Sequence, residues 1–545
     1  MAVLALAAFA AGLIVGGGPT RDEKRLVTRY ATLWTHGDLT RMYGLLDSES
    51  RAQVSPSAFA AKIVAAERTG TVRSLRMLNV EHVGSGRGLV RMIVSTRLWG
   101  TLHETLDLPL TGSGSGARIH LENSILFPGL QPGESLARHT TLPTRATLLS
   151  ANGVALAKGA ARTSPDPVTA DAVTGVLGAI PAAERVHYDA LGYPKGAKVG
   201  IDGLERTFQD RLAGRPGGVL LADGVVTGGR TLARSAPVAS PTVRTTISTT
   251  LEADTIDALA NRYAGMAVMD PRTGALEALD GLAYDAPQPP GSTMKIITAT
   301  AALQAGLVKL GTEFPQASGA TIDGYTLQNA SGEVCGGTLI YAFATSCNSV
   351  YAPLGVRVGG RRLVAAAQRF GFDHTPSILG ADESTIPSAK TIGSALSVGS
   401  SAIGQGDVLA TPLEMADVAA TIADGGRRPI PTLSATARPR FVHVTSAKVA
   451  GEVKQMMVAV IEYGTGVPAQ IPGVQVAGKT GTAELRDTAS KSASNNPKNT
   501  DSWFVAFAPA NDPKVVVSAL FPGAGYGAAT AAPAVKAVLE SALGR

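Results

Sequence analysis

In PPGSTMKIITA, Pro289 to Ala299, a serine stands three residues before a lysine, where a Pro-Pro-Gly turn meets an apolar run. At a helix start Ser292 and Lys295 share one face, so the lysine amine can reach the serine hydroxyl. The positive end of the helix then favours the alkoxide that develops during attack on a carbonyl. Lysine serves as the base only if burial or a second cation lowers its pKa. Alone the pair is weak, because serine is a common helix cap. Two further stretches strengthen it. ATSCNSV supplies Ser346 and Asn348, and VAGKTGTAE supplies Lys479, Thr480, Gly481 and Thr482. By charge, Ser292 attacks and Lys295 takes its proton, while Ser346 relays a proton to the leaving amine. Asn348 holds Lys295 and a substrate amide in register. Lys479 adds positive charge for a substrate carboxylate, which Thr480 and Thr482 meet with hydroxyl donors. Gly481 carries no side chain, so substrate can lie along the strand. The backbone N–H groups of Ser292 and Thr482 are the expected oxyanion donors. A bare KTG on its own would read as a turn with a solvated lysine.

The elements that must position these residues can be read from periodicity. DEKRLVTRYATLWTHG, DLTRMYGLLD and SAFAAKIVAAERTG have helical spacing, and TVRSLRMLNVEHV, GLVRMIVSTRLWG, TLHETLDLPL and ARIHLENSILF read as strands. Together they predict a small α+β domain over 20–133. Residues 134–245 are looser, with short extended pieces and one helix in GLERTFQDRLAG; they read as a linker or dimerisation-type domain. From 246 to 545 come the helix LEADTIDALANRYAG and the hairpin GMAVMDPRTGALEALDG with its Asp-Pro-Arg-Thr-Gly turn. A helix-rich middle follows, and then the strands SWFVAFAP and KVVVSALF and the helix AAPAVKAVLESAL. One sheet assembled from distant pieces is expected. The whole is an α+β multidomain protein.

Composition sets bounds. The chain has 545 residues, 45% hydrophobic and 17% charged, a globular balance with room for several cores. A net charge of +6 with no run of five or six Lys/Arg gives nucleic-acid binding little to stand on. MAVLALAAFAAGLIVGGG, uncharged until Arg21, is apolar enough for a membrane anchor or export signal over 1–19, though without the positive flank of either. A buried first helix is the plainer alternative. The two cysteines, Cys335 and Cys347, fit one disulfide in an exported protein; two separate buried thiols are the other reading. No metal site or cofactor is expected.

S-x-x-K, S-D-N and K-T-G recur together, in this order, in active-site serine penicillin-recognising enzymes. With GLERTFQDRLAGRPG, AVMDPRTGALEAL, SAIGQGDVLATPLEMA and SWFVAFAP as framework phrases, the chain resembles a class B high-molecular-weight penicillin-binding protein. The resemblance implies a penicillin-binding or serine β-lactamase-like transpeptidase fold, an antiparallel sheet covered by helices. It implies peptidoglycan D,D-transpeptidation through a serine acyl-enzyme with release of D-Ala, and acylation of Ser292 by β-lactams. Its partners would be stem peptides, as D-Ala-D-Ala donor and amine acceptor, and a glycosyltransferase or a divisome or elongasome assembly. Its place would be the bacterial cell membrane, with one N-terminal anchor and an extracytoplasmic catalytic domain. Residues 20–133 resemble the nuclear-transport-factor-2-like (NTF2-like) domain of the MecA-type branch. Cys347 stands where Asp is familiar and, if bonded to Cys335, would staple the SxN loop. The alternatives kept open are a D,D-carboxypeptidase or β-lactamase, and a non-catalytic β-lactam or muropeptide sensor or divisome scaffold.

Overall fold

The computed structural model describes residues 20–224, 228–485 and 497–545; the expected anchor or signal over 1–19 lies outside them. Among the described residues no helix is long and apolar enough to cross a membrane. The chain divides into two compact units. One runs to Arg145 and adds Gly178–Val199 and Ala213–Ser240; the other holds Ala146–Leu177, Gly200–Leu212 and Pro241–Arg545. Residues 134–245 are thus shared between them.

In the first unit the helix Arg21–Thr35 starts on a capping box, with Thr20 accepting from Glu23 N and Glu23 from Thr20 N. Its buried Val27, Tyr30, Ala31 and Trp34 recur at helical spacing and form one core with Val90, Met92, Leu106 and Leu108. Those last four come from an antiparallel meander of Val72–Gly84, Arg87–Thr96, Thr101–Thr111 and the short Arg118–Ile119. The expected fourth strand, ARIHLENSILF, is mostly not one. Only Arg118–Ile119 pairs, and Asn123–Ile125 turns into a 3₁₀ helix that buries Ile125. A second sheet joins Gly228–Ser235, Gly217–Gly224 and Glu134–Thr141.

The second unit carries a five-stranded sheet in the order Ala275–Gly281, Gly265–Asp270, Val515–Phe521, Thr500–Ala508, Ala477–Glu484. Every pairing is antiparallel. The central strands are buried along nearly their whole length, so they read as unbroken apolar runs and not as an alternation. Thr249–Leu259 and Ala531–Ala542 pack together and against strands of this sheet, and so do Pro412–Ala423 and Ala447–Glu462. Among the described residues the strand bearing Lys479-Thr480-Gly481-Thr482 is at the sheet edge, where outward-facing backbone groups have no strand partner. GLERTFQDRLAG is not one helix but two short ones, Gly203–Thr207 and Gln209–Leu212, interrupted at Phe208.

Candidate active site

Ser292 does not cap the helix. It sits in a 3₁₀ turn, Gly291–Met294, that runs into the α-helix Lys295–Gln304, and no side chain caps either start. In 3₁₀ geometry residues three apart eclipse, which stacks serine over lysine more closely than an α-turn would. Lys295 Nζ lies 2.9 Å from Ser292 Oγ. The turn is held from behind. Gly291 has φ 54°, and its N–H donates to Gly404 O at 2.9 Å. A methyl on Gly404 would lie 2.1 Å from Gly291 O, and one on Gly291 2.8 Å from Thr482 O. The backbones around Ser292 and Thr482 are therefore in contact.

Ser346 and Asn348 reach the same lysine from the turn between Leu339–Ala344 and Asn348–Val358. Lys295 Nζ donates to Ser346 O at 2.6 Å and Asn348 Oδ1 at 2.7 Å, and lies 3.2 Å from Ser346 Oγ. Ser346 adopts φ 62°, a left-handed conformation uncommon for a residue with a side chain. That conformation turns both its carbonyl and its hydroxyl toward the lysines. The neighbouring Cys347 is joined to Cys335 by a disulfide, so the turn is tied to the strand Cys335–Thr338.

Lys479 comes from the edge strand, and its Nζ donates to Ser346 Oγ at 2.9 Å and Thr480 O at 3.1 Å. Both lysines are fully buried. Burial pushes the Lys295 amine well below its ordinary range, and the positive charge of Lys479 pushes the same way. Burial brings Lys479 down to about 7. Both Nζ atoms meet the one Ser346 hydroxyl, so each amine disfavours the charge of the other.

Other expected site residues are placed with more constraint than sequence suggests. Asn348 spends one N–H on Gln328 O at 2.7 Å, leaving one for a ligand. The Thr480 hydroxyl pairs with Thr465 Oγ1 at 2.5 Å, and Thr482 Oγ1 accepts from Gly527 N at 3.4 Å. A methyl at Gly481 would lie 2.7 Å from Trp503 Cβ and 2.8 Å from Pro290 O. The glycine is thus required by the packing of strand on serine turn, whatever a ligand needs. Thr465, Gln328 and Gly404 escaped sequence reasoning; the Gly-Gln-Gly phrase that holds Gly404 was the one available signal. Tyr526 also joins the rim, its hydroxyl 3.0 Å from Ser331 Oγ.

Residues 264–540, just over half of the chain, match the family model of the penicillin binding protein transpeptidase domain. The chain belongs to the penicillin-binding protein transpeptidase family. Residues 128–261 match the penicillin-binding protein dimerisation domain, the pairing expected of class B. Among curated relatives of this family, the peptidoglycan D,D-transpeptidase PbpA of Mycolicibacterium smegmatis is 37% identical over 337 residues, 57% of this chain and 63% of that one. PbpA of Mycobacterium tuberculosis is 38% identical over 285 residues, 47% of this chain and 55% of that one. The chain therefore spans somewhat over half the length of these relatives. Its fold matches the structure of penicillin-binding protein A from M. tuberculosis in an imipenem acyl-enzyme complex. That likeness has a TM-score of 0.58 at 26% identity, covering 73% of this chain and 99% of that one. The antiparallel sheet covered by helices is the architecture expected from the sequence.

Proposed function

We propose that the chain is a peptidoglycan D,D-transpeptidase that cross-links stem peptides through an acyl-enzyme on Ser292. The observation that carries this reading is the set of partners around Lys295 Nζ. A neutral amine has two N–H donors and one lone pair. Ser346 O and Asn348 Oδ1, at 2.6 and 2.7 Å, take the two donors, which leaves the lone pair for the Ser292 hydroxyl at 2.9 Å. Burial beside Lys479 supplies the neutral form.

Ser292 Oγ attacks the carbonyl of the penultimate D-Ala, and its proton passes to Lys295. The N–H groups of Ser292 and Thr482, on touching backbones, stabilise the oxyanion. The C–N bond then breaks, and the departing D-Ala amine collects a proton through Ser346 Oγ, which bridges both lysines. Lys479 with the Thr480 and Thr482 hydroxyls holds the terminal carboxylate, and the open edge of the strand pairs with substrate backbone. An acceptor amine attacks the ester in the same geometry, returning the proton to Ser292. β-Lactams acylate Ser292 by the first half of this path.

The four-stranded meander under helices supports an NTF2-like domain of the MecA type over 20–133, with a linker or dimerisation domain over 134–245. The apolar composition of 1–19 supports a single membrane anchor with the catalytic unit extracytoplasmic. Glycosyltransferase, divisome or elongasome partners follow from that placement. The test measures D-Ala release and cross-links with and without an acceptor amine, alongside intact mass after penicillin. Cross-links that depend on acceptor and an adduct on Ser292 are expected. Release without cross-links would make the enzyme a carboxypeptidase, and labelling without turnover a sensor or scaffold. No adduct would refute the serine mechanism altogether.

A further inference from the structure

Helix Pro412–Ala423 is buried at all of its positions, yet it carries two carboxylates, Glu414 and Asp417. Both line a cavity of about 160 Å³ that none of the catalytic residues borders. Gly371, His374, Arg428, Ile430 and the exposed acid Asp382 complete much of its wall. Glu414 is 9% exposed and Asp417 4%, and Glu414 Oε1, Asp417 Oδ1 and Arg428 Nε have no hydrogen-bond partner among the described residues. A methyl built on Gly371 would lie 2.5 Å from Arg428 Nη1 and 2.5 Å from Glu414 Oε1. The guanidinium and the carboxylate thus converge on a bare Cα, at most about 5 Å apart, without closing an ion pair.

Two buried carboxyls with unmet oxygens, beside a partly buried guanidinium whose Nε is also unmet, are unfavourable unless something fits between them. The two buried carboxyls can give up their protons and accept from a positive group, and the guanidinium of Arg428 can meet a carboxylate beside it. We propose that this cavity binds a free α-amino acid, its ammonium between Glu414 and Asp417 and its carboxylate on Arg428. The exposed His374 and Thr375 form the mouth. Burial pushes Glu414 up to about 8 and Asp417 well above its ordinary range, so both hold protons in the unliganded cavity. An arriving ammonium restores their charged forms. Gly371 ends the helix Gly360–Phe370 at φ 139°, a conformation that itself favours glycine, and its bare Cα also leaves open the point where these groups meet.

The test is calorimetric titration of the full chain with glycine, D-alanine and L-alanine, with ethylamine and propionate as single-charge probes. Saturable binding near about millimolar is expected for the amino acids, and at least about tenfold weaker binding for either single-charge probe. Glu414→Gln and Arg428→Gln should each weaken amino-acid binding at least about tenfold while Ser292 still reacts with penicillin at the normal rate. Glu414→Gln removes a buried unpaired acid, so folding is not at risk, and the probe panel on the unaltered chain decides independently. No saturable binding up to about 100 mM, equal binding of single-charge probes, or unchanged binding by the variants would overturn the proposal. The cavity would then hold ordered water only.

Discussion

Replacing Lys479 with Met should change the pH profile of Ser292 acylation at both ends. In the proposed mechanism acylation needs Lys295 neutral, so the rate should rise as pH passes through its depressed pKa. In that mechanism it also needs Lys479 protonated, so the rate should fall above about 7, where burial places that amine. The rate constant kcat/KM reports free-enzyme ionisations, which gives a bell with its alkaline limb near that value. Both Nζ atoms bond Ser346 Oγ, at 3.2 and 2.9 Å, so they lie at most about 6 Å apart. At an effective dielectric of about 20, two unit charges at that separation repel by about 3 kcal/mol. Removing Lys479 relieves that repulsion, so Lys295 holds its proton longer and the acid limb moves to higher pH. The alkaline limb should vanish, and the plateau should drop by about 10²–10³ for the loss of a charged donor. Stopped-flow acylation with a fluorescent penicillin from pH 5 to 9 measures all three. An unmoved acid limb, or a surviving alkaline limb, would refute the assignment of base and charge to these two lysines.

Ser292→Ala should abolish the penicillin adduct in intact and digested mass spectra while leaving the melting temperature within a degree or two. Gly404→Ala should be costly, because φ is +74° and the methyl would meet Gly291 O at 2.1 Å. A loss of about 1–3 kcal/mol and slower acylation are expected by thermal melting and labelling, with no effect on either counting against the packing account. Replacing Cys335 and Cys347 with Ser opens a loop of sequence separation 12, worth about 3 kcal/mol. Acylation should slow as well, since the staple adjoins Ser346 and Asn348. Glu414 has a raised pKa, so the folded state binds more protons than the unfolded one between about 4.5 and 8. Its contribution to stability is fully present below about 4.5 and is lost as pH rises to about 8. Glu414→Gln should therefore raise the melting temperature most above pH 8 and flatten its fall with pH; a parallel curve would rule this out.

Much of the second unit could be read ahead of the structure. The hairpin around Asp270 to Gly274, the strands SWFVAFAP and KVVVSALF, and the closing helix all carry strong local signals of turn chemistry or unbroken apolar runs. ARIHLENSILF failed because its apolar residues alternate like a strand while tertiary packing draws Ile125 into a core through a 3₁₀ turn. GLERTFQDRLAG failed at Phe208, where the helical pattern continues but the backbone leaves it at φ −106°, ψ 20°. The Ser292 position was legible as a helix start but not as a 3₁₀ turn, since that depends on Gly404 packed behind it from 112 residues downstream.

What the sequence determined by itself was the cast: a serine, two lysines, a second serine and an asparagine, spaced so that only chain reversals could bring them together. Chemistry of type and order is local information, and three short motifs carry it. What tertiary structure decided was state and direction. Burial of both lysines sets which is neutral, the left-handed turn at Ser346 aims a carbonyl and a hydroxyl at them, and Thr465 reaches Thr480 from another element. Desolvation and convergence depend on what surrounds a group, and those surroundings come from residues distant in the chain.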